Sequence, residues 1–215
     1  MNEKKLISFD LDQTLVNTIQ SHMKSYLEVF KKNNLKVPSK ERLRKLIDGR
    51  HGREVLHNLY PKISKEMENK IRHDRKIILK KYAHLMKPIP GVKKALHLLK
   101  KHYELALVTN AEENEVELFL KQSRINPKIF DLIVLARKHP KPLPDGIIVA
   151  EHVLHVKSEF HVGDSVYDII AAKRAKAVSI AVLTGQASRN ELKKYHPDYI
   201  INSVAKLPSL MRKID

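Results

Sequence analysis

The spacing of apolar residues divides the chain into two kinds of element. Leu6, Ile7 and Phe9 form a short apolar run with β-branched and aromatic members, which predicts a buried strand. From Thr18 onward, apolar residues recur instead at the three- and four-residue spacing of amphipathic helices. Because no strand-like run interrupts residues 17–86, we expect an all-helical block there, directly after the first strand.

The rest of the chain alternates strands with helices. Pro88-Ile89-Pro90-Gly91 forms a stiff connector, and predicted strands follow at 104–108, 131–135, 159–162, 178–183 and 199–201. Alternation of this kind is typical of an α/β fold, in which helices cover both faces of a parallel sheet. The first strand belongs to the same sheet, so the helical block is predicted to interrupt the sheet domain from inside.

Composition is consistent with a globular protein. The apolar fraction of 42% can supply a core, and 215 residues suit one domain that carries an insertion. The absence of cysteine excludes disulfides and thiolate metal sites. No stretch approaches the roughly 20 apolar residues that span a bilayer, and the first strand begins too early for a signal peptide, so we expect no membrane association and a cytoplasmic location.

Positive charge is concentrated in the helical block. Residues 17–86 contain 18 of the 41 Lys and Arg but only 7 of the 24 Asp and Glu, a net charge of +11 out of +17. Such a surface can attract nucleic acid, an anionic membrane or an anionic substrate. The basic residues are not interleaved with aromatic ones, which argues against specific nucleic-acid binding.

Polar residues follow the carboxyl ends of four predicted strands, where open parallel sheets form their sites. They are Asp10, Asp12 and Thr14 after the first strand, then Thr109 and Asn110, then Lys141, and finally Asp164 and Asp168. Carboxylates without nearby His or Cys suit Mg²⁺, and a lysine and a hydroxyl near helix amino termini suit a phosphoryl group. One carboxylate can attack phosphorus while another moves protons, so the set indicates phosphoryl transfer through an aspartyl-phosphate.

Structural alternatives exist for several of these residues. Asp12 or Thr14 could cap the next helix after an Asp-rich turn, and Thr109 could cap the helix that begins near Glu112. Lys138 competes with Lys141 for the site. Asp145 is expected to complement a helix dipole, and the twelve histidines show no metal-ligand spacing.

Four segments together resemble the motifs of the haloacid dehalogenase-like hydrolases, in the same order and spacing. They are Asp10-Leu11-Asp12-Gln13-Thr14, Val108-Thr109-Asn110, Lys141-Pro142 and Gly163-Asp164-Ser165-x-x-Asp168. Pro90-Gly91-Val92 is similar to the phosphoglycolate phosphatase-like branch. The resemblance implies a three-layer Rossmann-like core, residues 1–16 and 87–215, with an inserted helical cap domain, residues 17–86.

The resemblance also implies roles for the residues. Asp10 would be the nucleophile and a Mg²⁺ ligand, and Asp12 the acid/base that touches the metal through its backbone carbonyl. The phosphoryl group would be held by Thr109, Asn110 and Lys141, with Lys141 also orienting Asp10. The remaining assignments are Asp164 as a metal ligand, Asp168 and Thr14 in support, and Arg50 as a candidate specificity residue in the cap. The chain departs from the family pattern at Gln13, where Gly is usual, and at Asn17, where Asp is common.

The resulting expectation is a Mg²⁺-dependent phosphatase for a small phosphorylated metabolite, acting as a monomer or homodimer. The presence of Asp12 argues against true dehalogenation. Three alternatives stay open: a sugar-phosphate mutase, a phosphonatase that would need a cap lysine to form a Schiff base, and a binding protein whose basic cap holds nucleic acid or another acidic partner.

Overall fold

A parallel sheet lies at the centre of the molecule, in a computed structural model that describes residues 4–135 and 138–214. The described residues form the strands β1 (Lys5–Phe9), β2 (Val16–Asn17), β3 (Lys87–Pro88), β4 (Tyr103–Thr109), β5 (Leu132–Leu135), β6 (Ser158–Gly163), β7 (Val178–Val182) and β8 (Tyr199–Ile201). Six of these strands form the sheet in the order β5-β4-β1-β6-β7-β8, and every neighbouring pair is parallel. The predicted parallel sheet is therefore confirmed, with β1 between β4 and β6.

Helices cover both faces of the sheet. The α-helices of the described residues are α1 (Ile19–Lys32), α2 (Lys40–Leu46), α3 (Gly52–Leu59), α4 (Lys65–Lys81), α5 (Val92–Leu99), α6 (Glu113–Ser123), α7 (Asp145–Leu154), α8 (Val166–Arg174), α9 (Arg189–Lys193) and α10 (Leu207–Ile214). Because side chains alternate across a strand, Ile7 and Phe9 of β1 belong to the apolar cluster that α5, α6 and α10 complete. Leu6 faces the opposite side and packs with Ile147 of α7 and Ala171 of α8. The α/β fold with three layers is confirmed.

The helices α1 to α4 share an apolar cluster of their own. Its buried members are Tyr26, Val29, Phe30, Leu43, Val55, Leu56, Ile71 and Ile78. Ser39 and Ser64 cap α2 and α4, since their side chains accept hydrogen bonds from the N–H groups of Arg42 and Met67. The division of the chain into residues 1–16 with 87–215 and residues 17–86 stays a prediction, and residues 1–3, 136–137 and 215 of that division lie outside the described residues.

The structure departs from a continuous helical block at the points where the block joins the sheet. At its exit, α4 ends at Lys81, and Ala83 and Met86 beyond it belong, with Leu79, to the apolar cluster of the sheet. Val16–Asn17 also pairs with Lys87–Pro88 as an antiparallel ribbon that joins the entry and exit of the block. A two-residue strand is too short to show a period of two, so sequence patterning cannot detect it.

None of the helices in the described part of the chain combines the length and the apolarity that crossing a membrane requires.

Candidate active site

The strand ends bring most of the predicted site residues to one cavity. Asp10 follows β1, and the neighbouring strands β4 and β6 end at Thr109 and Gly163. The cavity, of about 70 Å³, is lined by Asp10, Asp12, Thr109, Asn110, Asp164 and Arg50 among others. Lys141 and Thr14 do not line the cavity, but lie buried and contact Asp10 and Asp164, which do; Asp168 is buried behind them and contacts Lys141.

Lys141 lies between two carboxylates. Its Nζ donates hydrogen bonds to Asp10 Oδ1 at 2.5 Å and to Asp168 Oδ1 at 2.6 Å, with only 3% of the side chain exposed. Burial alone would lower its pKa, but Asp10 and Asp168 outweigh burial and raise the pKa of Lys141 above its usual range. Lys138 is exposed. The competition between the two lysines is thus decided by burial, and Lys141 is the ammonium group beside Asp10.

Asp168 is saturated with hydrogen bonds at the start of α8. Its Oδ2 accepts from the backbone N–H and the hydroxyl of Ser165, and its Oδ1 accepts from Lys141 and from His161 Nε2 at 3.3 Å. Burial opposes ionisation, but Lys141 and His161 hold the pKa of Asp168 below its usual range. A Cβ on Gly163 would lie 2.1 Å from Asp168 Cγ, so only glycine allows this approach. Asp168 therefore positions Lys141 and has little capacity left for another ligand.

Asp10 and Asp164 have capacity for a cation. Carboxylate oxygens of Asp10, Asp164 and Asp168 lie within 4.8 Å of one another. Burial, together with Asp168 and Asp12, raises the pKa of Asp10 to about 7 against the attraction of Lys141. Burial and the neighbouring carboxylates Asp10, Asp168 and Asp48 also raise the pKa of Asp164, which accepts a hydrogen bond from Thr14 Oγ1 at 2.9 Å. Clustered oxygen donors whose charges repel one another fit a hard divalent cation such as Mg²⁺.

A chain of polar contacts behind Asp12 is absent from the sequence predictions. His22 Nε2 lies 3.0 Å from Asp12 Oδ1, and His22 Nδ1 lies 2.5 Å from Arg75 Nη2. Because a guanidinium only donates, Nδ1 accepts and the Nε2–H donates to Asp12. Arg75 also donates to Glu115 Oε1 at 2.8 Å. The available sequence signal was the place of His22 on the apolar face of α1, between Ile19 and Tyr26.

Gln13 adopts a backbone conformation that glycine favours, at the position where the resemblance leads us to expect glycine. Its φ of +56° lies in the left-handed region, which costs energy for any residue with a Cβ. With its amide oxygen turned towards α1, the orientation that its surroundings favour, the side chain accepts from the backbone N–H groups of Thr18 at 3.0 Å and Ile19 at 2.8 Å. Thr18 does not cap α1 with its own side chain, and its hydroxyl donates to Asp12 instead. Gln13 thus replaces the missing cap.

Two further predicted residues, Asn110 and Arg50, lie at the segment between α2 and α3: Asn110 contacts the segment and Arg50 belongs to it. The Asn110 side chain donates to Gly49 O and Lys141 O, both at 3.1 Å, and accepts from the Lys141 N–H at 2.8 Å. Arg50 bonds to Glu54 at 3.0 Å and to Lys45 O at 2.9 Å. The side chain of Asn110 is therefore occupied by protein, and the Arg50 guanidinium is held at the cavity wall.

The remaining predictions in this region have clear outcomes. Glu112, not Thr109, is the N-cap of α6, so the capping alternative for Thr109 is wrong. The Thr109 hydroxyl is buried and accepts from the N–H of Ala111 at 3.1 Å. Asn17 is exposed in β2 and does not line the cavity. Asp145 lies in the first turn of α7, as expected for a residue that complements the helix dipole.

Comparisons with known proteins agree with this geometry. The sequence model of the haloacid dehalogenase-like hydrolases matches residues 7–182. Pyrophosphatase PpaX of Bacillus mycoides (strain KBAB4) is 27% identical in an alignment of 215 positions that covers 97% of this chain and 97% of that protein. Two solved structures share the fold. One is a hydrolase from Pseudomonas syringae, with a TM-score of 0.86 and 22% identity, in a match that covers 98% of this chain and 99% of that one. The other is CbbY from Rhodobacter sphaeroides in complex with phosphate, with a TM-score of 0.82 and 22% identity, in a match that covers 95% of this chain and 96% of that one. The family match covers most of the chain and all four strand ends, and the protein belongs to the haloacid dehalogenase-like hydrolases.

Proposed function

We propose that this protein is a Mg²⁺-dependent phosphatase that hydrolyses a small phosphorylated compound through a phosphoryl group carried on Asp10. The observation that carries the proposal is the Lys141 ammonium group, buried and 2.5 Å from Asp10 Oδ1, while Asp12 lines the same cavity. One carboxylate is thus oriented by a fixed positive charge, and a second lies two residues away.

In the first step, the carboxylate of Asp10 attacks phosphorus and the bond from phosphorus to the leaving oxygen breaks. Asp12 donates a proton to that oxygen. Lys141 orients Asp10, and together with the Thr109 hydroxyl it stabilises the negative charge of the phosphoryl oxygens. A bound divalent cation, held by Asp10 and Asp164 with the backbone carbonyl of Asp12, would offset the charge of the phosphoryl group.

In the second step, water attacks the phosphorus and the bond to Asp10 breaks, which releases inorganic phosphate. Asp12 accepts the proton of the attacking water, so both carboxylates return to their starting states. The hydrogen bonds from His22 and Thr18 fix the position of Asp12 for both transfers. We propose that residues 17–86 act as a cap that limits the access of bulk water during the first step.

A small, doubly anionic substrate fits the cavity best. Arg75 and Arg50 of the proposed cap line the cavity together with His22 and with Glu115, the partner of Arg75. The two guanidinium groups suit a leaving group that carries its own negative charge, and the names of the PpaX relatives make inorganic pyrophosphate the first candidate. Of the described residues that line the cavity, none is a lysine from 17–86, so the phosphonatase alternative gains no support.

The proposal is tested with an aryl phosphate and with a panel that contains pyrophosphate, carboxylated phosphomonoesters and hexose phosphates. Asp10→Asn is expected to lower kcat by about 10³-fold or more, and chelation of divalent cations to abolish turnover in the wild type. Asp12→Asn is expected to cost about 10²- to 10⁴-fold, the usual contribution of a general acid/base.

Asp145→Asn is the matched control, because it removes a partly exposed carboxylate from the first turn of α7, four residues after Lys141, and Asp145 does not line the cavity. Turnover that survives Asp10→Asn while Asp145→Asn behaves as wild type would exclude the covalent mechanism.

A further inference from the structure

A loop between α2 and α3 places one more carboxylate at the cavity. Gly49 has a φ of +66°, and a Cβ there would lie 2.7 Å from Ser165 Oγ. The carbonyl oxygen of Gly49 also accepts a hydrogen bond from Asn110 at 3.1 Å. The backbone next to Asp48 is therefore fixed against two strand-end segments of the sheet domain.

The carboxylate of Asp48 is only partly satisfied. It accepts a hydrogen bond from the backbone N–H of Gln186, but its Oδ1 is buried and has no hydrogen-bond partner among the described residues. Asp48 lines the same cavity as Asp10, Asp12 and Asp164. A buried carboxylate oxygen without a partner is costly, and a site that retains one usually has a ligand for it.

The surroundings of Asp48 indicate which ligand that is. Its charge repels that of Asp164, and among the described residues no ion pair joins it to a positive side chain: the Arg50 guanidinium bonds to Glu54 and to Lys45 O. Asp48 does not belong to the carboxylates whose oxygens converge within 4.8 Å. Asp48 is therefore not among the carboxylates grouped as direct ligands of one ion, and a contact through water suits it instead, because Mg²⁺ usually keeps several water ligands.

We propose that Asp48 holds a water ligand of the divalent cation bound by Asp10 and Asp164, so that cation binding fastens the segment 47–50 to the sheet domain. This inference rests on the proposed function, because the divalent cation is part of that proposal. It makes Asp48 a positioning residue contributed by the helical block, at a site whose direct ligands all come from the sheet domain.

The test compares Asp48→Asn with the wild type by two measurements that do not depend on turnover. Calorimetry gives the dissociation constant of Mg²⁺, which is expected to rise about tenfold, as for other residues that bind a metal through a bound ligand. Thermal unfolding without Mg²⁺ is expected to show a higher Tm for the variant, because a repulsive charge has been removed. The Tm increase caused by Mg²⁺ should be smaller in the variant.

Glu54→Gln is the matched control. Like Asp48→Asn, it replaces one carboxylate by an amide, but Glu54 bonds to Arg50 and does not line the cavity. Its Mg²⁺ dissociation constant should stay within twofold of the wild type. Asp48→Ser serves as a second variant and should repeat the loss of affinity without the amide group that asparagine introduces.

Three results would overturn the inference. An unchanged Mg²⁺ affinity in both Asp48 variants refutes the water contact. A lower Tm in both variants without Mg²⁺ assigns Asp48 a purely structural role. A wild-type protein that binds no Mg²⁺ at millimolar concentration refutes the inference and the metal dependence of the proposed function together, whereas the first two results leave the proposed function intact.

Discussion

The contact between α4 and α6 offers a sharp test of the structure, because two ion pairs repeat one helical turn apart. Arg75 pairs with Glu115 at 2.8 Å, and Arg72 pairs with Glu112. The side chains of the first pair are 13% and 11% exposed, those of the second 31% and 39%. The same two helices therefore present a buried pair and a surface pair of the same chemistry.

The expected coupling energies follow from this difference in burial. At 2.8 Å, an effective dielectric constant of about 20 gives a Coulomb attraction of about 6 kcal/mol. Desolvation offsets several kcal/mol of that attraction, so the net coupling between Arg75 and Glu115 should be about 2–3 kcal/mol. For Arg72 and Glu112, screening by solvent should reduce the coupling to between about 0 and 1 kcal/mol.

A double-mutant cycle measures both quantities. Arg75→Met, Glu115→Gln and the double variant are unfolded with urea, and the coupling is the part of the double effect that the single effects do not explain. The corresponding Arg72→Met and Glu112→Gln cycle is the control. A coupling for Arg75 and Glu115 no larger than that of the control pair would refute the reasoning.

The coupling should also depend on pH with a defined sign. Burial alone would raise the pKa of Glu115, but Arg75 and His22 hold it below the usual value. A carboxyl group with a lowered pKa in the folded state stabilises the protein above its unfolded pKa, and this contribution is lost as pH falls through the folded pKa. The coupling should therefore be constant between pH 7 and about 5 and decline below about pH 4.5; a coupling as large at pH 3 as at pH 7 would contradict the assignment.

Variants at two positions, Gln13 and Lys141, test the strand-end loops. Gln13→Ala should lower the free energy of unfolding by about 1 kcal/mol, because it keeps the left-handed φ and loses the cap of α1. The stability of Gln13→Gly should lie between that of Gln13→Ala and the wild type, because glycine removes the backbone strain. Thermal unfolding in which the alanine variant is more stable than the glycine variant would contradict this account. Lys141→Met should destabilise the protein by about 3–5 kcal/mol at pH 8 and by clearly less at pH 5. At pH 5, Asp10 and the neighbouring carboxylates of the variant take up protons instead of repelling one another. Urea unfolding that shows equal losses of stability at the two pH values would contradict this prediction.

The strand ends could be predicted from the sequence because backbone topology alone brings them together. Asp10 and Asp164 follow adjacent parallel strands, so their proximity needs no knowledge of side-chain packing. Lys141 was harder, since a lysine in a loop has no period: the Lys141-Pro142 motif favours it over Lys138, and its burial between Asp10 and Asp168 is visible only in the structure.

The contacts between the helical block and the sheet domain could not be predicted in the same way. Arg75 lies 53 residues from His22 and 40 from Glu115 along the chain, and a lone arginine on an amphipathic helix carries no signal of its partner. Asp48 is hidden for a related reason. Its position depends on the left-handed turn at Gly49 and on the packing of that glycine against Ser165, neither of which follows from local spacing.

The excess positive charge of residues 17–86 also has a different meaning once the partners are known. Arg72 faces Glu112, the N-cap of α6, and Arg75 faces Glu115 in the first turn of that helix, where acidic residues already complement the helix dipole. Part of the charge that could suggest an acidic macromolecular partner is thus neutralised within the chain. Arg75 has a further duty, because it contacts His22, which donates to Asp12 at the cavity. The basic residues Arg72 and Arg75 of α4 are therefore explained by their ion pairs with Glu112 and Glu115 and by the contact of Arg75 with His22 at the cavity. For these two residues, no nucleic-acid partner is needed to explain the positive charge.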